Sequence, residues 1–326
     1  MGLVDQTNFK LDQACLKVIA TGMSVPENIV SNNDIRSAHM ADLDCDWVEQ
    51  KLGIAERRIS TAGVLTSDLA SQAGINALKQ AGISGSGIDL LIVATATPDR
   101  QAPATACLVQ QKMGLDGAVA FDVSAVCSGF LFAMTIAKNF LQSGQSKRAM
   151  VIGADTFSRI TDWSRRDAVF FGDGAGAVIL EAIPGTQAIF DAELFSNGND
   201  ANAFTVYPGD KTFTMNAGDV LKSALDAIPK CADRVLARNG LSTDDINIVV
   251  PHQPSINLLK KLSERTGIGF EKFCVNMDRY ANTAGATIPI ILHETLQSGK
   301  IKKDDLVFFA AAGAGFTAGA AILRWY

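Results

Sequence analysis

The segment "DLLIVATATP" at residues 89–98 has a close relative later in the chain, "DINIVVPHQP" at residues 245–254. The two segments are 156 residues apart. Three further pairs match in the same order: Asp122 of "FDVSAV" with Asp278 of "VNMDRY", Lys147 of "KRAMVIGAD" with Lys303 of "KDDLVFFAA", and Ala175 of "AGAVIL" with Ala318 of "AGAAIL". The first two of these pairs keep the offset of 156 residues, and the last has an offset of 143. Repeated segments in one order predict a duplicated chain.

Each half of the chain predicts the same series of elements. The series is an amphipathic helix ("DLASQAGINALKQAGI" or "VLKSALDAIPKCADRVLARNG"), a buried strand (90–95 or 246–250), a short helix (105–113 or 254–266), a strand ending at Asp122 or Asp278, and a buried helix (128–142 or 283–296). The buried strands are continuous apolar runs, as expected when helices cover both faces of a parallel sheet. We therefore predict an α/β fold of two pseudo-equivalent halves, residues 1–184 and 185–326, divided near Pro184-Gly185.

Three segments interrupt the repeat, at about residues 30–62, 155–172 and 195–217. Binding and catalytic residues are often carried on loops that a rigid scaffold positions. We therefore expect these segments to form the walls of a functional site.

The composition excludes several classes of protein. The chain has 326 residues, is 48% hydrophobic, and has a net charge of −5 without a dense basic run, which argues against nucleic-acid binding. No basic and apolar leader resembling a signal peptide opens the sequence, and no apolar run approaches the roughly 18 residues of a membrane span. The six cysteines are scattered and the three histidines are far apart, so no metal site is expected. These features favour a cytoplasmic protein with reduced thiols.

The stretch "FDVSAVCSGF" at residues 121–130 places Cys127 between a strand and a buried helix, among very small side chains. The offset of the repeat puts Asn282–Thr283 at the start of the equivalent helix. His252 follows the strand 246–250, at the same edge of its sheet, where open α/β sheets bind ligands. We therefore expect Cys127, His252 and Asn282 to converge. Each residue alone also suits a structural role: a small buried thiol, a core histidine and a helix N-cap.

The chemistry of this arrangement favours nucleophilic catalysis. A cysteine at a helix N-terminus experiences the positive end of the macrodipole, which favours the thiolate and predicts a lowered pKa for Cys127. Small neighbours allow a thioester to approach the backbone and leave N–H groups available for an oxyanion hole.

The glycine-rich segment "GDGAGA" at residues 172–177 could be mistaken for a dinucleotide-binding loop. That fingerprint follows a strand and opens a helix, whereas this one continues into the strand "AVIL". We therefore do not expect a dinucleotide-binding loop, and close packing of the backbone is the alternative role for these glycines.

Several motifs together resemble those of the β-ketoacyl-[acyl carrier protein] synthase III family of thiolase-like condensing enzymes. The matching segments are "DVSAVCSGF", "GDGAGAVIL", "VPHQP", "DRYANTAGAT", "GAGFTAGAAIL" and "DWVEQKLGIAERR", and they extend over nearly the whole chain. The resemblance implies a duplicated five-layered αβαβα fold and a homodimer. It also implies an acyltransferase of fatty acid biosynthesis without a permanently bound cofactor.

The resemblance implies a role for each residue of the expected site. Cys127 would accept an acyl group from acyl-CoA, its substrate. His252 and Asn282 would stabilise the enolate formed when malonyl-acyl carrier protein or malonyl-CoA loses CO₂. The backbone N–H groups of Cys127 and Ala314 would form the oxyanion hole. The product would be a β-ketoacyl thioester.

Other residues match positions that bind substrates in the family. Trp47 and Arg166 correspond to the pair that sandwiches the adenine of coenzyme A, and Lys51 lies where the family has an arginine near the coenzyme. Trp163 is an alternative stacking partner. Basic residues could attract an acidic carrier protein or could simply form a solvated helix face: Lys260, Lys261, Arg265 and Lys272.

The sequence also departs from the family pattern. Ala102 stands where acetyl-using members often carry a phenylalanine that closes the acyl pocket, which predicts a primer longer than acetyl. Ala281 replaces a glycine that usually precedes the asparagine. These changes leave open a specialised pathway that makes a quinolone, a resorcinol or a polyketide. An acyltransferase of the same fold without decarboxylation and a non-catalytic partner subunit are further alternatives.

Overall fold

The computed structural model describes residues 15–183, 190–207 and 209–326, so the predicted division at Pro184-Gly185 lies outside the described residues. The strands are β1 (Cys15–Ser24), β2 (Ile29–Ser31), β3 (Glu56–Arg58), β4 (Leu90–Ala94), β5 (Val119–Val123), β6 (Arg148–Thr156), β7 (Asp173–Ile183), β8 (Phe190–Ser196), β9 (Phe204–Thr205), β10 (Thr214–Met215), β11 (Ile248–Pro251), β12 (Leu306–Gly313) and β13 (Thr317–Arg324). The helices are α1 (Asn32–Ala38), α2 (Cys45–Trp47), α3 (Thr66–Ala81), α4 (Thr105–Met113), α5 (Gly129–Gln142), α6 (Ala217–Arg238), α7 (Ile256–Thr266), α8 (Met277–Tyr280) and α9 (Thr287–Gln297). No helix in these ranges is both long and apolar enough to cross a membrane.

Two mixed sheets form the framework of the molecule. The first has the strand order β1-β7-β6-β4-β5, and the second has the order β11-β12-β13-β8. In the first sheet β4 runs parallel to β6 with Ala94 opposite Gly153, and in the second β11 runs parallel to β12 with Val250 opposite Phe309. Val250 and Phe309 follow Ala94 and Gly153 by the same offset that relates Asp245 to Asp89. The strand register therefore confirms the duplication.

Five layers follow from the way the helices cover the two sheets. Helices α3 and α4 lie on the outer face of the first sheet, and α6 and α7 cover the outer face of the second. Helices α5 and α9 contact both sheets and form the central layer. Because both of their faces are covered, these two helices are predominantly apolar. The predicted αβαβα architecture is confirmed.

The predicted strand ending at Asp278 is wrong, because this residue lies in the short helix α8. The side-chain Oε1 of Gln253 accepts hydrogen bonds from the backbone N–H groups of Asn276 and Met277. These N–H groups are thereby unavailable for a strand ladder, and only Phe273 forms an isolated bridge to Val249. Among the described residues, the second sheet consequently has no counterpart of β5.

The sequence alignment of the last matched strands, which pairs Ala175 with Ala318 and therefore Gly176 with Gly319, is also wrong. Gly153 lies opposite Gly176 in the first sheet, whereas its equivalent Phe309 lies opposite Ala321 in the second. The register therefore makes Ala321, and not Gly319, the equivalent of Gly176. A shift of two positions keeps every side chain on the same face of a strand, so an apolar pattern cannot distinguish the two alignments.

The glycines of "GDGAGA" allow helix α9 to lie directly on strand β7. A Cβ atom on Gly174 would come within 2.8 Å of Ile290 Cδ1, and one on Gly176 within 2.7 Å of the Ile290 backbone nitrogen. Asp173, between Gly172 and Gly174, is buried and accepts hydrogen bonds from the backbone N–H groups of Ser60 and Ser158. Close backbone packing, the alternative role for these glycines, is confirmed.

Candidate active site

A largely apolar cavity of about 390 Å³ lies between the two halves of the chain. It brings together Cys127, His252, Asn282 and Ala314, four residues singled out in the sequence. Trp47 and Lys51 also belong to the lining of this cavity. The aromatic side chains of Phe157, Phe170, Phe171 and Phe204 contribute much of the remaining surface.

A tight turn between β5 and α5 carries Cys127. The turn is a single 3₁₀ segment, Val126–Ser128, in which Ser128 Oγ donates to the carbonyl oxygen of Ala125. A Cβ atom on Gly313 would lie 2.8 Å from the Cys127 backbone nitrogen, so a glycine is required where β12 ends. The small residues noticed in the sequence therefore allow the Cys127 turn and the Gly313–Ala314 segment to approach each other.

The electrostatic environment of Cys127 differs from the sequence-based expectation. The residue adjoins a cluster of buried aromatic side chains that includes Phe157, Phe171 and Phe213. Burial raises the pKa of the Cys127 thiol, and the charge of Asp155 raises it further. Both effects act against the lowering of the pKa that the helix N-terminus was expected to cause, and they favour the neutral thiol.

His252 directly follows β11 and is almost entirely buried. Its backbone N–H donates to the carbonyl oxygen of Ala310, which fixes the residue at the edge of the second sheet. Burial lowers the pKa of the imidazole to about 3, and Nδ1 has no hydrogen-bond partner among the described residues. The ring is therefore neutral at physiological pH and suited to hydrogen bonding with a substrate.

Asn282 is held by three hydrogen bonds to backbone groups of its neighbours. Its N–H donates to the Phe170 carbonyl oxygen, its own carbonyl oxygen accepts from the Gly172 N–H, and its side-chain Oδ1 accepts from the Ala284 N–H at 2.7 Å. The last bond is a local Asx-type turn, and the N-cap considered from the sequence is not borne out: Thr283 caps the 3₁₀ turn Ala284–Ala286, and Ala286 caps α9. The bond from the Ala284 N–H also fixes the amide orientation, which leaves Nδ2 as a donor for the cavity.

The residue before Asn282 has a strained backbone. Ala281 adopts φ 55° and ψ −153°, a region populated almost only by glycine. We expect Ala281→Gly to stabilise the protein by roughly 1 kcal/mol, because relief of this strain exceeds the entropic cost of a glycine. Thermal unfolding should show a midpoint higher by about 2 °C. Ala281→Ser keeps a Cβ atom and should give no gain; an equal gain in both variants would contradict the explanation by strain.

One wall of the cavity was only partly recognised in the sequence. Met215 and Ala217 lie in the segment 195–217 that was expected to form a wall, but helix α6 extends this wall with Val220, Leu221, Ala224 and Ile228. The spacing of three and four residues is visible in the sequence, but it is the ordinary pattern of a helix that faces a core. Only the tertiary structure shows that part of this face borders open space.

Of the residues expected to bind coenzyme A, Trp47 and Lys51 line the cavity, whereas Arg166 lines an adjoining pocket that shares Trp47. The Arg166 guanidinium lies 3.9 Å from the centre of the Trp47 ring, so the two groups contact each other directly. Lys51 is exposed and lines the main cavity together with Trp47. Trp163 instead stacks on His39 at the edge of a separate pocket, which makes it a poor alternative to Trp47.

Ala102 does not lie in the cavity of its own chain. It is exposed, precedes a cis peptide bond to Pro103, and is absent from the lining of the cavity. Among the four basic residues noted in the sequence, Lys261 reaches the cavity and is exposed. No group of His, Cys, Asp or Glu side chains within the described parts of the chain is arranged to hold a metal ion.

Comparison with known proteins gives one consistent result. Two family models match, 3-oxoacyl-[acyl-carrier-protein] synthase III at residues 121–198 and its C-terminal region at residues 236–325. The chain is 38% identical to β-ketoacyl-[acyl-carrier-protein] synthase III of Oceanobacillus iheyensis, over 94% of this chain and 98% of that protein. It is 42% identical to the protein of the same name from Erythrobacter litoralis, with the same coverage of both chains.

Comparison with solved structures indicates the same fold. The 3-oxoacyl-[acyl-carrier-protein] synthase III of Aquifex aeolicus superimposes with a TM-score of 0.91 at 36% identity, covering 95% of this chain and all of that one. A priming β-ketosynthase of the R1128 polyketide pathway superimposes with a TM-score of 0.90 at 24% identity, covering 98% of this chain and 99% of that one. The second likeness supports the fold alone.

Proposed function

The chain belongs to the 3-oxoacyl-[acyl-carrier-protein] synthase III family of acyltransferase-type condensing enzymes, and we propose that it joins an acyl-CoA primer to a malonyl thioester through an acyl-Cys127 intermediate. The observation that carries this proposal is the convergence of a thiol, an amide donor and a neutral imidazole in one apolar cavity. The reaction needs these groups and no bound cofactor.

In the first step, the Cys127 sulfur attacks the thioester carbonyl of the acyl-CoA. A bond forms between this sulfur and the acyl carbon, the bond to the coenzyme sulfur breaks, and the thiol proton leaves with the coenzyme as a free thiol. The backbone N–H groups of Cys127 and Ala314 would hold the oxyanion. Because burial favours the neutral thiol, Cys127 has to lose its proton before or during the attack.

In the second step, a malonyl thioester occupies the cavity vacated by coenzyme A. Loss of CO₂ leaves an enolate whose oxygen accepts hydrogen bonds from Asn282 Nδ2 and from the neutral His252 ring. Preorganised donors of this kind typically contribute about 3–4 kcal/mol each. The enolate carbon then attacks the acyl carbon on Cys127, the thioester bond breaks, and the thiol is reprotonated.

Trp47 and Arg166 should bind the nucleotide of the primer donor. An adenine ring must separate the two side chains, since they now lie in contact. We expect Trp47→Ala to raise KM for acyl-CoA about tenfold with little change in kcat, through loss of stacking. An acyl-pantetheine donor, which lacks the nucleotide, is the control and should be used equally well by both proteins; an equal loss with both donors would contradict this role.

We further propose that the primer is longer than acetyl. The apolar cavity beside Cys127 supports this, and so does the small side chain of Ala102 if a second copy of the chain covers it. Mass spectrometry of the intact protein after incubation with acyl-CoAs from C2 to C12 should show the greatest loading above C2. A steady fall from C2 onwards would contradict the proposal, and absence of loading with every donor would favour a carrier-protein donor or a non-catalytic subunit.

A homodimer and a cytoplasmic location remain part of the proposal. Strand β5 is the edge of the first sheet, with Val119 exposed and Phe121 partly buried, so a second copy could extend the sheet. The segment that contains Ala102 leads into α4, whose first N–H groups donate to Asp122 on β5. A partner on this edge would therefore lie close to Ala102, and sedimentation velocity would report the dimer directly.

A further inference from the structure

A second ionisable group lies next to the active site and has no role in the reaction described so far. Asp155, near the end of β6, is fully buried. Its Oδ1 accepts four hydrogen bonds, from the Thr95 hydroxyl, the Ala96 N–H, and both the N–H and the hydroxyl of Thr97. Its Oδ2 accepts a single bond of 2.8 Å, from the Gly285 N–H.

The two oxygens of this carboxylate bind different halves of the protein. Residues 95–97 follow β4 in the first half, whereas Gly285 lies in the turn that closely follows Asn282 in the second. An ideal Cβ atom on Gly285 would lie 3.4 Å from the Val126 carbonyl oxygen, so this turn also touches the turn that carries Cys127. Asp155 thus ties the Asn282 segment to the half that holds the nucleophile.

The duplication shows that the second half forms its sheet without an acid at the equivalent position. The offset of the repeat places Ala311 in the second half where Asp155 stands in the first, and each lies opposite a glycine on the adjacent strand. Ala311 borders the cavity. Within the same architecture, one half therefore leaves this position open to the substrate cavity and the other fills it with a hydrogen-bonded acid.

We propose that Asp155 is a positioning residue whose carboxylate sets the place of the Asn282 amide relative to the Cys127 thiol. The proposal rests on the proposed function, because it concerns the step in which Asn282 acts. A displacement of about 1 Å at a reacting centre can cost about a hundredfold in rate. The turn that follows Asn282 is tied to this carboxylate through one hydrogen bond, from the Gly285 N–H. Loss of that bond would allow such a displacement of the Asn282 amide.

The charge of Asp155 also acts on Cys127. Burial raises the pKa of Asp155 to about 6, although its hydrogen bonds act to lower it. The carboxylate is therefore mainly ionised at pH 7. Its hydrogen-bond donors from the β4 loop and from the Gly285 turn are all neutral, and the titratable groups closest to the reacting centre are Cys127 and His252. His252, with a pKa of about 3, does not change charge near pH 6.

The deciding variant is Asp155→Asn, which keeps the size of the side chain and the Oδ1 acceptor. Its amide nitrogen would face the Gly285 N–H, so two donors would oppose each other and the tie would be lost. We expect decarboxylation and condensation of the malonyl thioester to slow about 10- to 100-fold. Loading of Cys127 by acyl-CoA should stay within about threefold of wild type. The midpoint of iodoacetamide alkylation against pH should fall by about one unit as the repelling charge is removed.

Asp173→Asn is the matched control, because it also converts a buried, hydrogen-bonded carboxylate on the same sheet to an amide. This control should change neither the alkylation midpoint nor the ratio of the two partial reactions. The proposal is overturned if Asp155→Asn slows loading and condensation by the same factor and leaves the midpoint unmoved. Failure of wild type to load or condense would instead refute the proposed function, while the alkylation midpoint would still report on Asp155.

A milder variant covers the case in which Asp155→Asn does not fold. Thr95→Val removes one donor from Asp155 Oδ1, which destabilises the charged form and raises its pKa. Protonation of Asp155 weakens the hydrogen bond that its carboxylate accepts from the Gly285 N–H, so wild-type condensation should decline below about pH 6. The midpoint of this decline should move upward by about half a pH unit in Thr95→Val. An unchanged midpoint would contradict the proposal.

Discussion

We expect Cys127→Ala to abolish acyl loading and to lower the rate of condensation by at least about 10⁴-fold. The thiol is the group that forms the covalent bond to the acyl carbon, and alanine offers no replacement. Intact-protein mass spectrometry with the best acyl-CoA of the chain-length series measures loading, and release of CO₂ with product analysis measures condensation. Wild type should gain the mass of one acyl group, and the variant should gain none.

The control for this experiment is Cys107→Ala. Cys107 is another partly exposed, free cysteine in the same half of the protein, and it does not line the cavity. This variant should load and condense like wild type. An acyl adduct on Cys127→Ala, or its loss in Cys107→Ala, would show that the nucleophile lies elsewhere.

Asn282→Asp should reduce condensation about a thousandfold while leaving acyl loading intact. The substitution keeps an oxygen to accept the Ala284 N–H, so the local turn is preserved. It replaces the donor that faces the cavity with an acceptor, which would repel the developing enolate instead of stabilising it. Loss of one such donor typically costs a factor of about 10²–10³, and the added charge increases the loss.

This variant separates the two roles that the sequence left open for Asn282. If the residue served only to accept the Ala284 N–H in the local turn, aspartate would do this equally well and activity would be retained. Asn282→Ala removes both the turn acceptor and the donor and provides the comparison. Acyl loading should survive in both variants. Near-normal condensation by Asn282→Asp would contradict a role in enolate stabilisation.

The buried imidazole of His252 should affect the pH dependence of stability, but not that of condensation near pH 6. The depressed pKa of His252 means that the ring is neutral in the folded protein at every pH above about 3. The unfolded chain binds a proton at this residue below about pH 6.5, so native stability falls as the pH drops through that range. A decline in activity near pH 6 should therefore be assigned to Asp155 and not to His252.

The sequence by itself determined the duplicated architecture and brought Cys127, His252 and Asn282 together as candidates for one site. The offset of the repeat is a property of the chain, and the same offset appears in the pairing of β4 with β6 and of β11 with β12. The offset also placed Cys127 and Asn282 at equivalent helix starts. These inferences succeeded because apolar periodicity and the position of small residues are local properties that a repeat displays twice.

The tertiary structure alone decided how the site works electrostatically and where its walls lie. The raised pKa of the Cys127 thiol reflects burial and the charge of Asp155, which is distant along the chain. The register of the last strands and the helix at Asp278 depend on Gln253 and on pairing across a sheet. Ala102 is exposed and lies outside the lining of the cavity. Charge effects, strand register and cavity walls arise from groups that only folding brings together, so no local pattern in the sequence could display them.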